Sequence, residues 1–253
     1  MSMNFSSWFS PSRAVCPMCG NRHTQARIGI ANPLKHPDPR RIIDSLCGSC
    51  RHAIPWIVYP ACRICGRAER CEDCLRRKIR HYELSRCGVR YDKAMKDWLA
   101  LYKYRGHEGV ENVLAAMLAF AFERLGEATK LTFHGITAVP LAPERLRERN
   151  FNQAERLAQR LSEWYGLSYS PMLLRLRHTE KQSLKTRRSR VTDMRGNFAA
   201  DPAVLFSERA SPHRIIIVDD VYTTGSTLDE CARILKQAMP NRAEVYGLLW
   251  ARS

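Results

Sequence analysis

Two adjacent acids and four hydroxyls fall within nine residues of this chain: Asp219, Asp220, Thr223, Thr224, Ser226 and Thr227, in the stretch "IIIVDDVYTTGST" at 215–227. The stretch opens as a β-branched apolar run, the composition of a buried strand, and leads into the helical pattern "TLDECARILKQAM". Carboxylates at a strand end can accept hydrogen bonds from sugar hydroxyls or help hold a divalent cation. The hydroxyls, with the free N–H groups and dipole of the helix N-terminus, make a cradle for phosphate, and Gly225 allows the backbone to approach closely. A sugar phosphate is the ligand that needs both halves. An ordinary strand-turn-helix unit accounts for one glycine and one capping hydroxyl, but not for two acids followed by four hydroxyls.

A second chemistry lies at the other end of the chain. Eight of the ten cysteines form four Cys-x-x-Cys pairs, Cys16/Cys19, Cys47/Cys50, Cys62/Cys65 and Cys71/Cys74. Each such turn sets two sulfurs about one tetrahedral edge apart, so two turns complete a closed zinc site with no open position for water. Disulfides suit this spacing less well, and no secretory pattern accompanies it. Sequential pairing gives two zinc ribbons, Cys16/Cys19 with Cys47/Cys50 and Cys62/Cys65 with Cys71/Cys74. The first encloses a polar, proline-containing insert that reads as a surface loop. A ribbon this small folds on its metal, so chelation is expected to unfold residues 1–85 and spare most of the remainder. Cys87 and Cys231 have no partner in this pattern and read as buried small apolar residues.

At 253 residues, 45% of them apolar, the chain can bury a full core. Its formal charge of +16 points to an anionic partner, even after two four-thiolate zinc sites, each formally about −2, are subtracted. The apolar run "VLAAMLAFAF" is about half the length of a membrane-spanning helix, so no membrane insertion is expected. The N-terminus "MSMNFSSWFSPSR" lacks the basic and apolar regions of a signal peptide, which reads as a cytoplasmic protein.

The elements that must hold these groups follow from periodicity. "YDKAMKDWLALYKYRG" carries Ala94, Met95, Trp98, Leu99 and Tyr102 at helical spacing, and a second helix fills 108–125. "GITAVPL" reads as a buried strand, and "NQAERLAQRLSEWYG" as a helix capped by Asn152, with Glu155 at the capping-box position and Gly166 at its end. A short extended segment near 168–174, a polar basic stretch, a strand at 214–218, a helix over 227–239 and a strand "AEVYGLLW" complete the chain. Strands alternating with helices imply an α/β fold with a mostly parallel sheet and helices on both faces, its ligand at the carboxyl ends of the strands. The expected division is 1–87 for the zinc ribbons and 88–253 for the α/β part. The segment 175–190 holds seven Lys or Arg against one Glu. It is either a solvated charged run or a lid over phosphates.

"IIIVDDVYTTGST" resembles the phosphoribosyl pyrophosphate (PRPP) motif of type I phosphoribosyltransferases. With the four cysteine pairs, "YDKAMKDWLALYKYRG", "VPLAPERLRERNFNQAERLA" and a Gln-x-Leu plus basic stretch, nearly the whole chain looks like the ComF family of competence-related proteins, which includes GntX-like members. The resemblance implies a type I phosphoribosyltransferase-like domain behind a small zinc-ribbon module, and Mg²⁺ beside two structural zinc ions. Asp219 and Asp220 would contact ribose hydroxyls, and Val221 and Thr223, Thr224, Gly225, Ser226 and Thr227 would bind the 5′-phosphate. Leu141, Arg145 and Arg149 fall in the implied pyrophosphate loop, where Arg147 is a further candidate and one or two of the arginines are expected to touch ligand. Lys181, Gln182 and Arg187 fall in the implied hood loop, with Lys181 placed among the catalytic residues. Family members usually read Arg-Gly-Phe-Asn-Gln where this chain has Arg149-Asn150-Phe151-Asn152-Gln153, and Asn tolerates the left-handed backbone that a glycine there would supply. The resemblance also implies a role in DNA uptake or use. Two functions therefore compete: phosphoribosyl transfer from PRPP, and a non-catalytic factor that binds single-stranded DNA or proteins of the competence machinery and senses a phosphoribosyl ligand.

Overall fold

The computed structural model describes residues 14–23, 32–105, 108–176, 196–202, 213–239 and 243–253. In chain order the elements are β1 (Ala14–Val15), β2 (Arg22–His23), α1 (Pro37–Asp44), α2 (Gly48–His52), α3 (Glu72–Arg76), β3 (Ser85–Arg90), α4 (Lys93–Arg105), α5 (Glu108–Thr129), β4 (Gly135–Ala138), α6 (Pro143–Arg149), α7 (Gln153–Tyr165), β5 (Ser168–Tyr169), β6 (Leu173–Arg175), β7 (Phe198–Ala200), β8 (His213–Tyr222), α8 (Ser226–Ala238) and β9 (Ala243–Arg252). Five strands make one sheet in the order β3-β9-β8-β4-β5, and every pairing in it is parallel. Two short antiparallel pairs, β1-β2 and β6-β7, lie outside it.

The sheet divides the core as strand alternation requires. From β8, Ile216 and Val218 join a cluster with α1, α4, α5 and α7, while Ile215 and Ile217 join a second cluster with α8. The helix that fills the first layer is α5, buried continuously from Val113 to Ala121. This is why its sequence lacks an amphipathic stripe. It lies so close to β3 that a Cβ on Gly88 would stand 2.4 Å from the Met117 carbonyl oxygen. None of the described helices is long and apolar enough to cross a membrane.

The cysteine-bearing region shares these clusters. Cys16 and Cys47 pack in the first, and Cys65, Cys71 and Cys74 in the second. The sheet itself begins at Ser85, so its first strand straddles the division expected at residue 88. The insert between the first two cysteine pairs departs from a surface loop. Within it α1 packs on α5, and Leu34, Ile43 and Leu46 are buried at 3% exposure or less. The reason is amphipathicity: α1 carries its polar residues on one side, which hid a short apolar face in a composition dominated by charge. Cys87 and Cys231 are buried apolar positions, as expected.

Candidate phosphoribosyl site and metal centres

α7 begins at Asn152 and ends at Gly166, where the sequence places its caps, whereas α5 runs through Gly126 to Thr129 instead of ending at 125. Asn152 opens α7 by accepting from the Ala154 N–H at 3.2 Å, and donates its Nδ2 to the Val139 carbonyl at 3.0 Å, so one buried side chain ties α7 to the end of β4. Glu155 does not close the capping box; its carboxylate accepts from the Tyr169 hydroxyl instead. Asn150 takes the left-handed conformation at φ 63°, ending α6, the backbone geometry expected of it from the sequence. The stretch between β4 and α7 is therefore a helix, Pro143–Arg149, with a fixed turn on either side.

Between this helix and the ends of β4 and β8 is a cavity of about 290 Å³. It is lined by the β4–α6 connection at Val139 to Ala142, by Arg145 and Arg149 of α6, by Asn152 to Ala154, and by Asp219, Asp220, Val221 and Thr227. Leu141, Arg145 and Arg149 thus come together with the strand-end acids. Arg147 does not: it points outward, 75% exposed, beside Glu144. Thr223 to Ser226 lie outside the cavity lining, on the loop that adjoins it. There Thr224 Oγ1 and Ser226 Oγ are 2.8 Å apart, and Gly225 has φ +75°. Lys181, Gln182 and Arg187 lie outside the described residues.

Two cations in this cavity escape the sequence reading, Lys103 and Arg175. Lys103, near the end of α4, forms an ion pair with Asp220 in which both side chains are about four-fifths buried. The available signal was its place beside the buried stripe of α4, one residue after Tyr102. Arg175 is the first residue of the basic run, set over the Phe198 ring at 4.7 Å. With Arg145 and Arg149, four cations face two acids.

The acids are not equivalent. Burial, and then the like charge of Asp220, push Asp219 up to about 7. Burial also opposes ionisation of Asp220, but Lys103 outweighs it, with help from the Val221 N–H and Arg149, and holds Asp220 below the usual carboxylate range. The cavity thus presents one carboxylate held ionised by Lys103, one whose ionisation is opposed by burial and by its neighbour, and more cations than acids.

The eight paired cysteines assemble as two tetrads, Cys16, Cys19, Cys47, Cys50 and Cys62, Cys65, Cys71, Cys74, with all sulfurs of each within 4.8 Å of one another. Cys19 and Cys47 stand 3.7 Å apart, and Cys65 and Cys71 3.6 Å. A tetrahedron of sulfurs with bonds of about 2.3 Å to zinc has an edge of about 3.8 Å. Backbone N–H groups face sulfur at Cys47 to Cys16 (3.4 Å) and Cys65 to Cys62 (3.5 Å), the pattern of a knuckle that carries thiolates. Around the second tetrad the charge balance agrees. Arg252 is 4% exposed, with Nε and Nη2 lacking an oxygen partner, and Arg86 is 7% exposed. Cys65 acts on both and is itself held at about 4, first by Cys74 and also by Arg252, against the effect of burial. Two buried guanidiniums beside four sulfurs fit a zinc–thiolate cluster with a net negative charge.

No protein-family model matches the chain. It is, however, 31% identical over 237 residues to competence protein ComFC of Bacillus subtilis, covering 88% of this chain and 89% of that protein. The chain belongs to the ComF family. Another relative, the DNA utilization protein YhgH of Escherichia coli, is 27% identical over 213 residues, or 76% of this chain and 91% of that one. Among solved structures, the glutamine PRPP amidotransferase of B. subtilis, complexed with ADP and GMP, overlaps 64% of this chain and 31% of its own at a TM-score of 0.36 and 17% identity. In this ComF-family chain the α/β sheet and the cysteine tetrads, the two parts the sequence separates, meet through a common core.

Proposed function

We propose that the cavity binds PRPP, or a related phosphoribosyl ligand, with Mg²⁺, and that the protein uses it in the uptake or use of DNA. The observation that carries this reading is the joining of Asp219 and Asp220 to four cations at the carboxyl ends of parallel strands, next to a hydroxyl-rich loop at a helix N-terminus. The acids face the ribose hydroxyls, the 223–227 loop takes the 5′-phosphate, and Arg145, Arg149 and Arg175 take the pyrophosphate. Carboxylate oxygens suit Mg²⁺, and Asp220 already holds one cationic partner in Lys103. If transfer occurs, positive charge grows on the sugar as pyrophosphate leaves, so fixed charges matter more than a nucleophile. The role in DNA handling rests on the relatives, whose names are competence and DNA-utilization proteins.

Asp220→Asn separates the two halves of the site. It removes the charge that Lys103 neutralises but leaves the phosphate loop whole. PRPP affinity measured calorimetrically with Mg²⁺ is expected to fall by at least about tenfold, or about 1.4 kcal/mol, while inorganic phosphate keeps its affinity. PRPP binding unchanged in Asp220→Asn would place the ribose elsewhere. A screen for pyrophosphate release with candidate bases and amines then decides between transfer and sensing.

A second reading, a nucleic-acid surface on the cysteine module, is favoured by the exposure of Arg63, Arg70 and Lys78 in that module, together with that of Tyr59 at 85% and Ile79 at 71%. Binding to single-stranded DNA should then weaken steeply with salt. Four phosphate contacts predict about a fifty-fold loss between 50 and 200 mM salt. Affinity that is flat over this range, or absent throughout, would remove this reading.

A further inference from the structure

The segment that follows the last paired cysteine is hydrogen-bonded to the phosphate loop before it, within it and after it. Before the loop, the Tyr82 and Tyr222 hydroxyls meet at 2.7 Å, both rings buried. Within it, Arg77 Nη2 donates to the Thr224 carbonyl at 2.6 Å. After it, Asp229 in the first turn of α8 stands 3.5 Å from Arg77 Nη1 and accepts from the His81 N–H at 2.8 Å. Arg77 lies three residues beyond Cys74, just past α3, and is about four-fifths buried. These contacts are not needed to close the cysteine tetrad or the sheet.

The contact to Thr224 has a stereochemical consequence. In a trans peptide the C=O and the following N–H point in opposite directions, and no cis peptide occurs among the described residues. Holding the Thr224 carbonyl toward Arg77 therefore turns the Gly225 N–H away from the cysteine module. Without that restraint a peptide next to glycine can flip, because glycine accepts either sign of φ. The flip would replace a donor by a carbonyl oxygen, which repels an anion.

We propose that Arg77, anchored by the second cysteine tetrad, is the positioning residue that fixes the Thr224–Gly225 peptide in its anion-binding orientation. This rests on the reading of the 223–227 loop as the phosphate site. Metal in the second tetrad thereby controls the anion affinity of a loop some 150 residues away in sequence, since Arg77 and Thr224 are separated by 147 positions.

Arg77→Ala, Asp229→Asn and Cys74→Ser test this in the full-length protein, with Arg76→Ala as a control that removes the same charge from the neighbouring residue, which is 81% exposed. Two quantities are read: affinity for inorganic phosphate and for ribose 5-phosphate, and amide hydrogen exchange of residues 222–229 without ligand. Arg77→Ala and Cys74→Ser are expected to lose at least about tenfold in affinity and to speed exchange in 222–229; Asp229→Asn does the same to a smaller degree, and Arg76→Ala changes neither. If Cys74→Ser does not fold, the other two variants carry the test. Exchange and affinity at wild-type levels in Arg77→Ala would overturn the proposal, as would an equal loss in Arg76→Ala. If the wild-type protein binds neither phosphate nor ribose 5-phosphate, the phosphate-site reading fails, while exchange in 222–229 still decides whether Arg77 orders the loop.

Discussion

Gly225→Val is expected to abolish binding of PRPP, ribose 5-phosphate and inorganic phosphate alike, and to cost the fold about 3 kcal/mol, from left-handed backbone strain and overpacking together. A Cβ at this position would stand 2.2 Å from the Tyr222 hydroxyl oxygen and 2.4 Å from its ring carbon, at a φ of +75°. The ring cannot move aside. It is 3% exposed, pinned by the Tyr82 hydroxyl, and the Arg252 guanidinium lies over its face at 4.6 Å. The loop itself must therefore open, and with it every donor that faces the phosphate. Titration of the three ligands, with thermal denaturation and circular dichroism on the same sample, checks both effects. Phosphate binding retained by a folded Gly225→Val protein would move the ligand away from this loop.

Metal removal is the second large effect. Elemental analysis should find about two zinc ions per chain if both tetrads fill. Chelation, or Cys65→Ser, should remove at least about 4 kcal/mol, the cost of leaving buried charge without a partner. The charges are Arg252 and Arg86, and they sit on β9 and β3. Loss of the second cluster should thus be felt in the sheet and not only in the cysteine module: amide exchange should quicken along 85–90 and 243–252 as well as around the cysteines. A metal-free protein with an unchanged melting curve would refute the structural role of the tetrads. If protection is lost within 14–84 alone, the two regions fold independently despite their shared core.

The balance between sequence and structure differs between these two cases. Cysteine pairing was legible because a metal knuckle is a local object: the ligand spacing of Cys-x-x-Cys is set by one turn of backbone, and the next pair along the chain completes the site. The strand-to-helix motif at 215–227 was legible for the same reason, since its acids, glycine and hydroxyls are nearly consecutive in the chain. So was the left-handed turn at Asn150, where a single residue type carries the signal. The order of the elements and the parallel sheet followed from alternating periodicity.

What lay beyond the sequence was every relation between distant segments. Leu34 and Ile43 looked like parts of a surface loop, because their burial depends on α5 being there to receive them. Lys103 drew no reading from the sequence, because its partner is Asp220, 117 positions on. Gly225 was read as a glycine that lets the backbone approach a ligand, whereas the atoms that a Cβ there would strike belong to Tyr222. Local chemistry is written in residue types and short spacings. Burial, charge pairing and the choice of which face of a loop is held depend on packing between segments that only the folded chain brings within reach.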